Sequence, residues 1–168
     1  PRRRRCERCA MPLYERERDG QTLPDACAEC HLIQPAWTRA VCALEYGFPW
    51  DRLIQHLKFH GRIELAQPLS WHLAQAVNET DCRVDAVLPV PLSSARLQER
   101  GYNQAWELAW RVARQLELPA QANWLERPMQ GEHQTGLGRE ERLRNLKGAF
   151  MVPPAHRPAL AGLSVALV

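Results

Sequence analysis

The residues with the most pointed chemistry are four cysteines in two tight pairs, Cys6-x2-Cys9 and, seventeen residues on, Cys27-x2-Cys30. Each pair can fold as a knuckle, and the intervening loop can bring the knuckles together as a tetrahedron of thiolates, the spacing of a four-cysteine zinc site. Four thiolates leave no open coordination position, so such a metal holds shape and does no chemistry. Iron in the same sulfur set, one disulfide, or two unrelated thiol pairs are the competing readings. His31 borders the second pair and either replaces a ligand or lies exposed beside it. Cys42 and Cys82 sit in or next to predicted core elements and read as small hydrophobes.

A second constellation runs from Pro89 to Gln104 and contains Ser93, Ser94, Arg96, Arg100 and Gly101. It joins a predicted strand to the start of the best predicted helix. A helix start offers free N–H groups and a positive partial charge, and arginines add bidentate forks, so the arrangement suits a phosphate. Equally, Arg96 and Arg100 at helical spacing could be surface charges and Asn103 only a cap. A third segment, Arg127 to Phe150, is punctuated by Gly131, Gly136 and Gly138 and carries Gln134, Thr135, Arg139, Arg142, Asn145 and Lys147. It reads either as a polar loop that closes over a phosphorylated ligand or as a solvated connection.

The elements that must position these groups follow from periodicity. Ala105, Leu108, Ala109, Val112, Ala113 and Leu116 form the clearest helical stripe. Leu53, Ile54 and Leu57 predict a helix over 50–59 that Asp51 helps to start. Leu65, Leu69 and Leu73 predict another over 63–77, which Pro68 must kink or begin anew. Strands are expected at Val84–Val90, bounded by Pro89 and Pro91, at Val41–Tyr46, and briefly at Trp124-Leu125. Arg139–Leu146 suggests a helical turn or two. The continuous apolar run Leu160–Val168 predicts a central parallel strand covered on both faces. Alternating strands and helices argue for an α/β sheet with ligands beyond the carboxyl ends of its strands.

The chain has 168 residues, close to the rough yardstick of 150 per domain, so one main domain with a small appendage is expected. Residues 1–36 are too poor in apolar periodicity to fold on a hydrophobic core and read as a metal-held module, with residues 37–168 as the α/β domain. With 45% hydrophobic and 24% charged residues, disorder and low-complexity architectures are excluded. The net charge of +3 is misleading: residues 1–18 carry a surplus of +4, and the other 150 residues sum to −1. Binding of nucleic acid by overall charge is therefore poorly supported, and only Arg2 to Arg5 offer a polybasic patch or a solvated end. No segment reads as a signal peptide, and the longest apolar run is about half a membrane span, so membrane insertion is not expected. The cytoplasm, which keeps thiolates reduced, is the expected address.

Taken together, the two Cys-x2-Cys pairs, Leu57-Lys58-Phe59, Pro89-Val90-Pro91-Leu92 with Arg96, Arg100-Gly101-Tyr102-Asn103-Gln104-Ala105, and Arg142-x2-Asn145-Leu146-x2-Ala149-Phe150 resemble the ComF/GntX family, in the same order along nearly the whole chain. The resemblance implies a zinc ribbon joined to a type I phosphoribosyltransferase-like domain, some of whose members are linked to DNA uptake in natural competence. It implies a site for phosphoribosyl pyrophosphate with Mg²⁺, with Arg96 and Arg100 where pyrophosphate is met. Arg139, Arg142 and Asn145 would lie in or beside a hood over the substrate. Lys58, Gly101, Tyr102, Asn103 and Gln104 match family positions without an assigned role.

In the family, a strand like Ala161–Val168 runs on into an acidic pair, threonines and a glycine that hold the ribose and its 5-phosphate. Here the sequence stops at Val168, so a truncated and inactive fragment is expected. Transfer passes through an oxocarbenium-like state that needs carboxylates near the ribose as well as cations on the departing pyrophosphate. Two functions are carried forward: a phosphoribosyltransferase-type protein that binds phosphoribosyl pyrophosphate or a related phosphosugar, and a non-catalytic adaptor. In the adaptor the ribbon would dock a helicase-like partner or single-stranded DNA. With Tyr14 its only aromatic before Trp37, the ribbon offers little for base stacking.

Overall fold

The computed structural model describes residues 4–13, 25–128, 146 and 148–168. Its elements are α1 (Ala28–Leu32), α2 (Trp50–Phe59), a 3₁₀ turn at Ile63–Leu65, α3 (Ala66–Asn78), β1 (Ala86–Leu88), α4 (Ser94–Arg100) and α5 (Gln104–Gln115). A second 3₁₀ turn at Pro154–His156, α6 (Arg157–Leu160) and β2 (Val165–Leu167) complete them. It is a mixed α/β arrangement in which helices outweigh strands.

β1 and β2 pair in parallel, Ala86 opposite Val165 and Leu88 opposite Leu167. On its other side β1 meets the extended backbone at Ala120, again in parallel, through Val87 N–H to Pro119 O (2.9 Å) and Gln121 N–H to Val87 O (3.0 Å). From β1 the chain therefore passes through α5 to one neighbour and later returns to the opposite neighbour, so the strand order reverses at β1. All three residues of β1 are buried, which is why its sequence is an unbroken Ala-Val-Leu.

The core has two parts. Leu57, Ala66 and Leu69 pack α2 against α3, with Leu44, Trp50, Ile54, Tyr102 and Leu108 around them. Val87, Ala109 and Ala113 pack α5 onto β1, with Val84, Leu118 and Val168 at the margin. The alanines let helix backbone approach strand backbone closely, and Leu108, on another face of α5, reaches the first cluster. Ser70, fully buried, donates to Gln67 O (2.8 Å) and accepts from Gln115 Nε2 (3.3 Å), tying α3 to α5.

Three expectations about elements are corrected. The segment 41–46 is irregular: no strand lies beside it among the described residues, and Leu44 instead drops into the α2–α3 core. Trp124-Leu125 is likewise not a strand, although the next residue, Glu126, exchanges both backbone hydrogen bonds with Met151 at 2.9 Å. The apolar run at the end is a strand only over its last part, since α6 and a turn with Gly162 at φ +79° occupy its beginning. That strand is not covered on both faces either: Val165 is 39% and Leu167 59% exposed. Pro68 sits in the first turn of α3, where its missing N–H removes no helical bond, so the helix begins anew there without a kink. No helix among the described residues is long and apolar enough to cross a membrane.

Candidate functional site

The structure brings Cys6, Cys9, Cys27 and Cys30 together, all four Sγ atoms lying within 4.8 Å of one another. The first knuckle closes through Cys6 N–H to Met11 O and Ala10 N–H to Cys6 O, both 2.8 Å, with Ala10 in the left-handed region at φ 59°. The second is the start of α1, where Cys27 donates its N–H to Cys6 Sγ at 3.3 Å. Cys9 Sγ and Cys27 Sγ are 3.7 Å apart, matching the edge of about 3.8 Å that a sulfur tetrahedron has around zinc at 2.3 Å. All four are free thiols, which removes the disulfide reading. The site fits a metal such as zinc, and His31, exposed on α1, is not one of the converging ligands.

The thiols are unequal. Burial pushes Cys6 up, yet backbone hydrogen bonds at Cys27, Cys9 and Arg8 outweigh it and lower the group to about 6. The Met11 backbone pulls Cys9 down, but burial and the adjoining Cys6 and Cys27 sulfurs leave it above its ordinary value. Burial first, then the other three sulfurs, raise Cys30 to about 12. Four thiolates this close do not coexist without a cation among them, which is the chemical case for a metal.

The ribbon is tied to the body along 37–45. Trp37 Nε1 donates to Arg8 O (2.6 Å), Ala40 N–H to Glu7 O (3.2 Å), and the pairs Arg39–Glu7 (3.0 Å) and Arg5–Glu45 (3.6 Å) flank them. Of the N-terminal arginines, Arg4 pairs with Asp25 at 3.1 Å and Arg5 also donates to Ala10 O at 2.9 Å. These two brace the ribbon, which argues against a free polybasic patch at their positions. Cys42 is exposed, its thiol donating to Leu44 O at 3.0 Å, so it is not the core hydrophobe expected; Cys82 is half-buried.

The segment 93–104, expected only as a connection from strand to helix, holds a helix of its own, α4, followed by the start of α5. Ser93 accepts the N–H of Arg96 at 3.4 Å and starts α4; Gly101, at φ +79°, ends it in a conformation that disfavours any side chain. Asn103 then caps α5, its Oδ1 accepting the N–H of Ala105 at 2.9 Å while its Nδ2 donates to Val90 O at 3.2 Å. Val90 N–H in turn donates to Val168 O at 2.8 Å, and Val168 N–H to Leu88 O at 3.0 Å. The carboxyl ends of both strands and the amino end of α5 thus meet around Val90.

Arg96 and Arg100 are both half-buried, on the first and last turns of α4. Arg100 donates through Nη1 to Gln104 Oε1 and lies over the Phe59 ring, 5.3 Å from its centroid. Tyr102 donates its hydroxyl to the Leu57 carbonyl, and burial, first among its influences, raises its pKa so that it stays a donor. Lys58 is exposed at the end of α2. The spacing of Arg100 and Gln104 was readable as a pair; the contacts to Phe59 and Leu57 join residues more than forty positions apart and left no local signal. Arg139, Arg142, Asn145 and Lys147 lie outside the described residues. Two surface grooves occur elsewhere, one on the ribbon along Arg8, Cys30, His31 and Gln34, the other at the amino end of β1 along Thr80, Cys82, Arg83 and Asp85; neither is lined by Arg96 or Arg100.

The chain is 33% identical over 129 residues to competence protein F of Haemophilus influenzae, covering 74% of this chain and 56% of that protein. It is 31% identical over 150 residues to DNA utilization protein YhgH of Escherichia coli K12 and 32% identical to that of Salmonella typhimurium, covering 86% of this chain and 63% of each relative. No protein-family model and no solved structure matches it. With its paired cysteine knuckles and the Arg100–Ala105 motif, the chain belongs to the ComF family. It spans between about half and two thirds of the length of these relatives.

Proposed function

We propose that this protein acts in DNA uptake and utilization, as the names of its relatives suggest, and that its α/β part binds phosphoribosyl pyrophosphate or a related phosphosugar with Mg²⁺. The four-cysteine metal would be a structural zinc ion. One observation carries the reading: the strand order reverses at β1, and the amino end of the twelve-residue α5 is pinned by Asn103 to Val90, two residues past β1, with Arg100 held on Gln104, the first residue of α5. Open parallel sheets bind ligands in the crevice outside such carboxyl ends. The free N–H groups and positive end of α5 favour an anion there, and two guanidinium forks supply donors suited to a diphosphate. Mg²⁺ would enter with the ligand and neutralise part of its charge.

Calorimetric titration of phosphoribosyl pyrophosphate with Mg²⁺ into the metal-loaded protein tests this. Binding is expected, weakened about ten- to a hundredfold by Arg100→Ala, the range for losing a charge-assisted hydrogen bond. Absence of heat at millimolar ligand overturns it.

A second reading, the non-catalytic adaptor, is favoured by a different feature. Leu32 (85% exposed) and Ile33 (72%) project at the end of α1 next to the metal site, where a ribbon needs no apolar surface for its own folding. A helicase-like partner docking there would be lost on Leu32→Asp while phosphosugar binding stays intact. Salt-sensitive retention of single-stranded DNA, abolished when Arg2 and Arg3 become alanine while the bracing Arg4 and Arg5 are kept, would instead assign the ribbon to nucleic acid.

A further inference from the structure

We infer that Phe59 is a positioning residue for Arg100, and that the last turn of α2 is thereby one wall of the anion site. This rests on the phosphosugar reading above and extends it to a residue with no assigned role. Phe59 closes α2 yet is 64% exposed, whereas Leu57, two residues earlier, faces the core at 2%. Packing does not account for an aromatic ring at that position. Its one ring contact among the described residues is the guanidinium of Arg100 at 5.3 Å.

Arg100 is held from two directions. The Phe59 face restrains the plane of the guanidinium by cation–π attraction, and Gln104 Oε1 takes one N–H from Nη1. A guanidinium has five N–H donors, and no carboxylate pairs with Arg100 among the described residues. An oriented cation with donors to spare and no carboxylate partner among the described residues is a group prepared for an external anion. An arginine serving only to shield Phe59 would have no use for a second restraint at its tip.

The register between α2 and the Arg100–Gln104 turn is fixed as well. Tyr102 hydrogen-bonds Leu57 O and packs on the Leu57–Ala66–Leu69 cluster, so the turn cannot slide along α2 without breaking both. Leu57-Lys58-Phe59 and Arg100 to Gln104, forty residues apart in sequence, therefore form one unit: Tyr102 sets the spacing, Phe59 the plane and Gln104 the direction of Arg100.

The test is a double-mutant cycle read by calorimetry with inorganic pyrophosphate and Mg²⁺, on protein whose melting curve confirms folding. Phe59→Leu is expected to weaken binding roughly two- to fivefold, the range of a lost cation–π contact at an exposed ring. Phe59→Tyr, which keeps the π face, should restore it to within about twofold of the parent. In an Arg100→Ala background Phe59→Leu should have no further effect. Should Phe59→Leu bind like the parent while Arg100→Ala does not, or weaken binding equally with and without Arg100, the positioning role is wrong and the anion site stands. Should Arg100→Ala leave binding unchanged, the anion site falls and the positioning role with it.

Discussion

Asn103 joins two elements with one side chain, and its replacement has an effect that can be worked out in advance. Alanine there removes the cap of α5, the 2.9 Å bond from Ala105 N–H to Oδ1, which contributes about 1 kcal/mol. It also removes the 3.2 Å bond from Nδ2 to Val90 O, an exposed one that belongs near the low end of the range, about 0.5 kcal/mol. Together, about 1.5 kcal/mol lowers the folding equilibrium a little over tenfold. In urea that is a midpoint shift of about 0.7 M for a slope near 2 kcal/mol/M, and in a melt about 3–6 °C for a chain of this size. Asn103→Asp separates the two contributions. It keeps the accepting oxygen and adds a negative charge that the helix start favours by about 0.3–1 kcal/mol, but it cannot donate to Val90 O. Aspartate should therefore fall within about 0.5 kcal/mol of the parent. Equal destabilisation by both substitutions would show that capping is not what Asn103 does. A loss under about 0.3 kcal/mol for alanine would show that neither bond holds the junction.

Two further outcomes follow from burial and from the thiols. Leu57→Ala should lower stability by about 2–5 kcal/mol, because Leu57 is 2% exposed between Ala66 and Leu69; Leu167→Ala, at a site 59% exposed, should stay within about 0.5 kcal/mol, and similar denaturation midpoints for the two would contradict the core assignment. Metal binding should tighten steeply with pH: between pH 7 and 8 Cys9, raised above its ordinary 9.0, and Cys30, near 12, still carry protons that the metal must displace, whereas Cys6, near 6, is already ionised. Release of at least two protons raises affinity at least about a hundredfold per pH unit and lowers it equally on acidification, which competition with a chromophoric chelator measures; less than tenfold would refute the assignment.

Local patterns gave much of the architecture directly. The stripe from Ala105 to Leu116 became α5, because period-3.6 apolar spacing allows few alternatives, and Ile54 and Leu57 became the inner face of α2. The cysteine pairs converged as their spacing required, since short knuckles leave little conformational choice. Reading failed where a segment's state depends on neighbours. The residues at 41–46 have strand-like composition but no strand beside them among the described residues, and β2 has the composition of a buried central strand but an exposed surface.

The sequence by itself determined that the paired cysteines converge, that the stripes of 50–59 and 105–116 are helices, and that Asn103 caps the second of them, because knuckles, apolar periodicity and caps are local matters of backbone valence and sterics. Only the tertiary structure decided what the turn between α4 and α5 faces. Phe59 beneath Arg100, the Leu57 carbonyl at Tyr102, and both strand ends gathered at Val90 are contacts between distant parts of the chain, fixed by how α2, α3 and α5 bury their apolar faces together and invisible to any spacing rule.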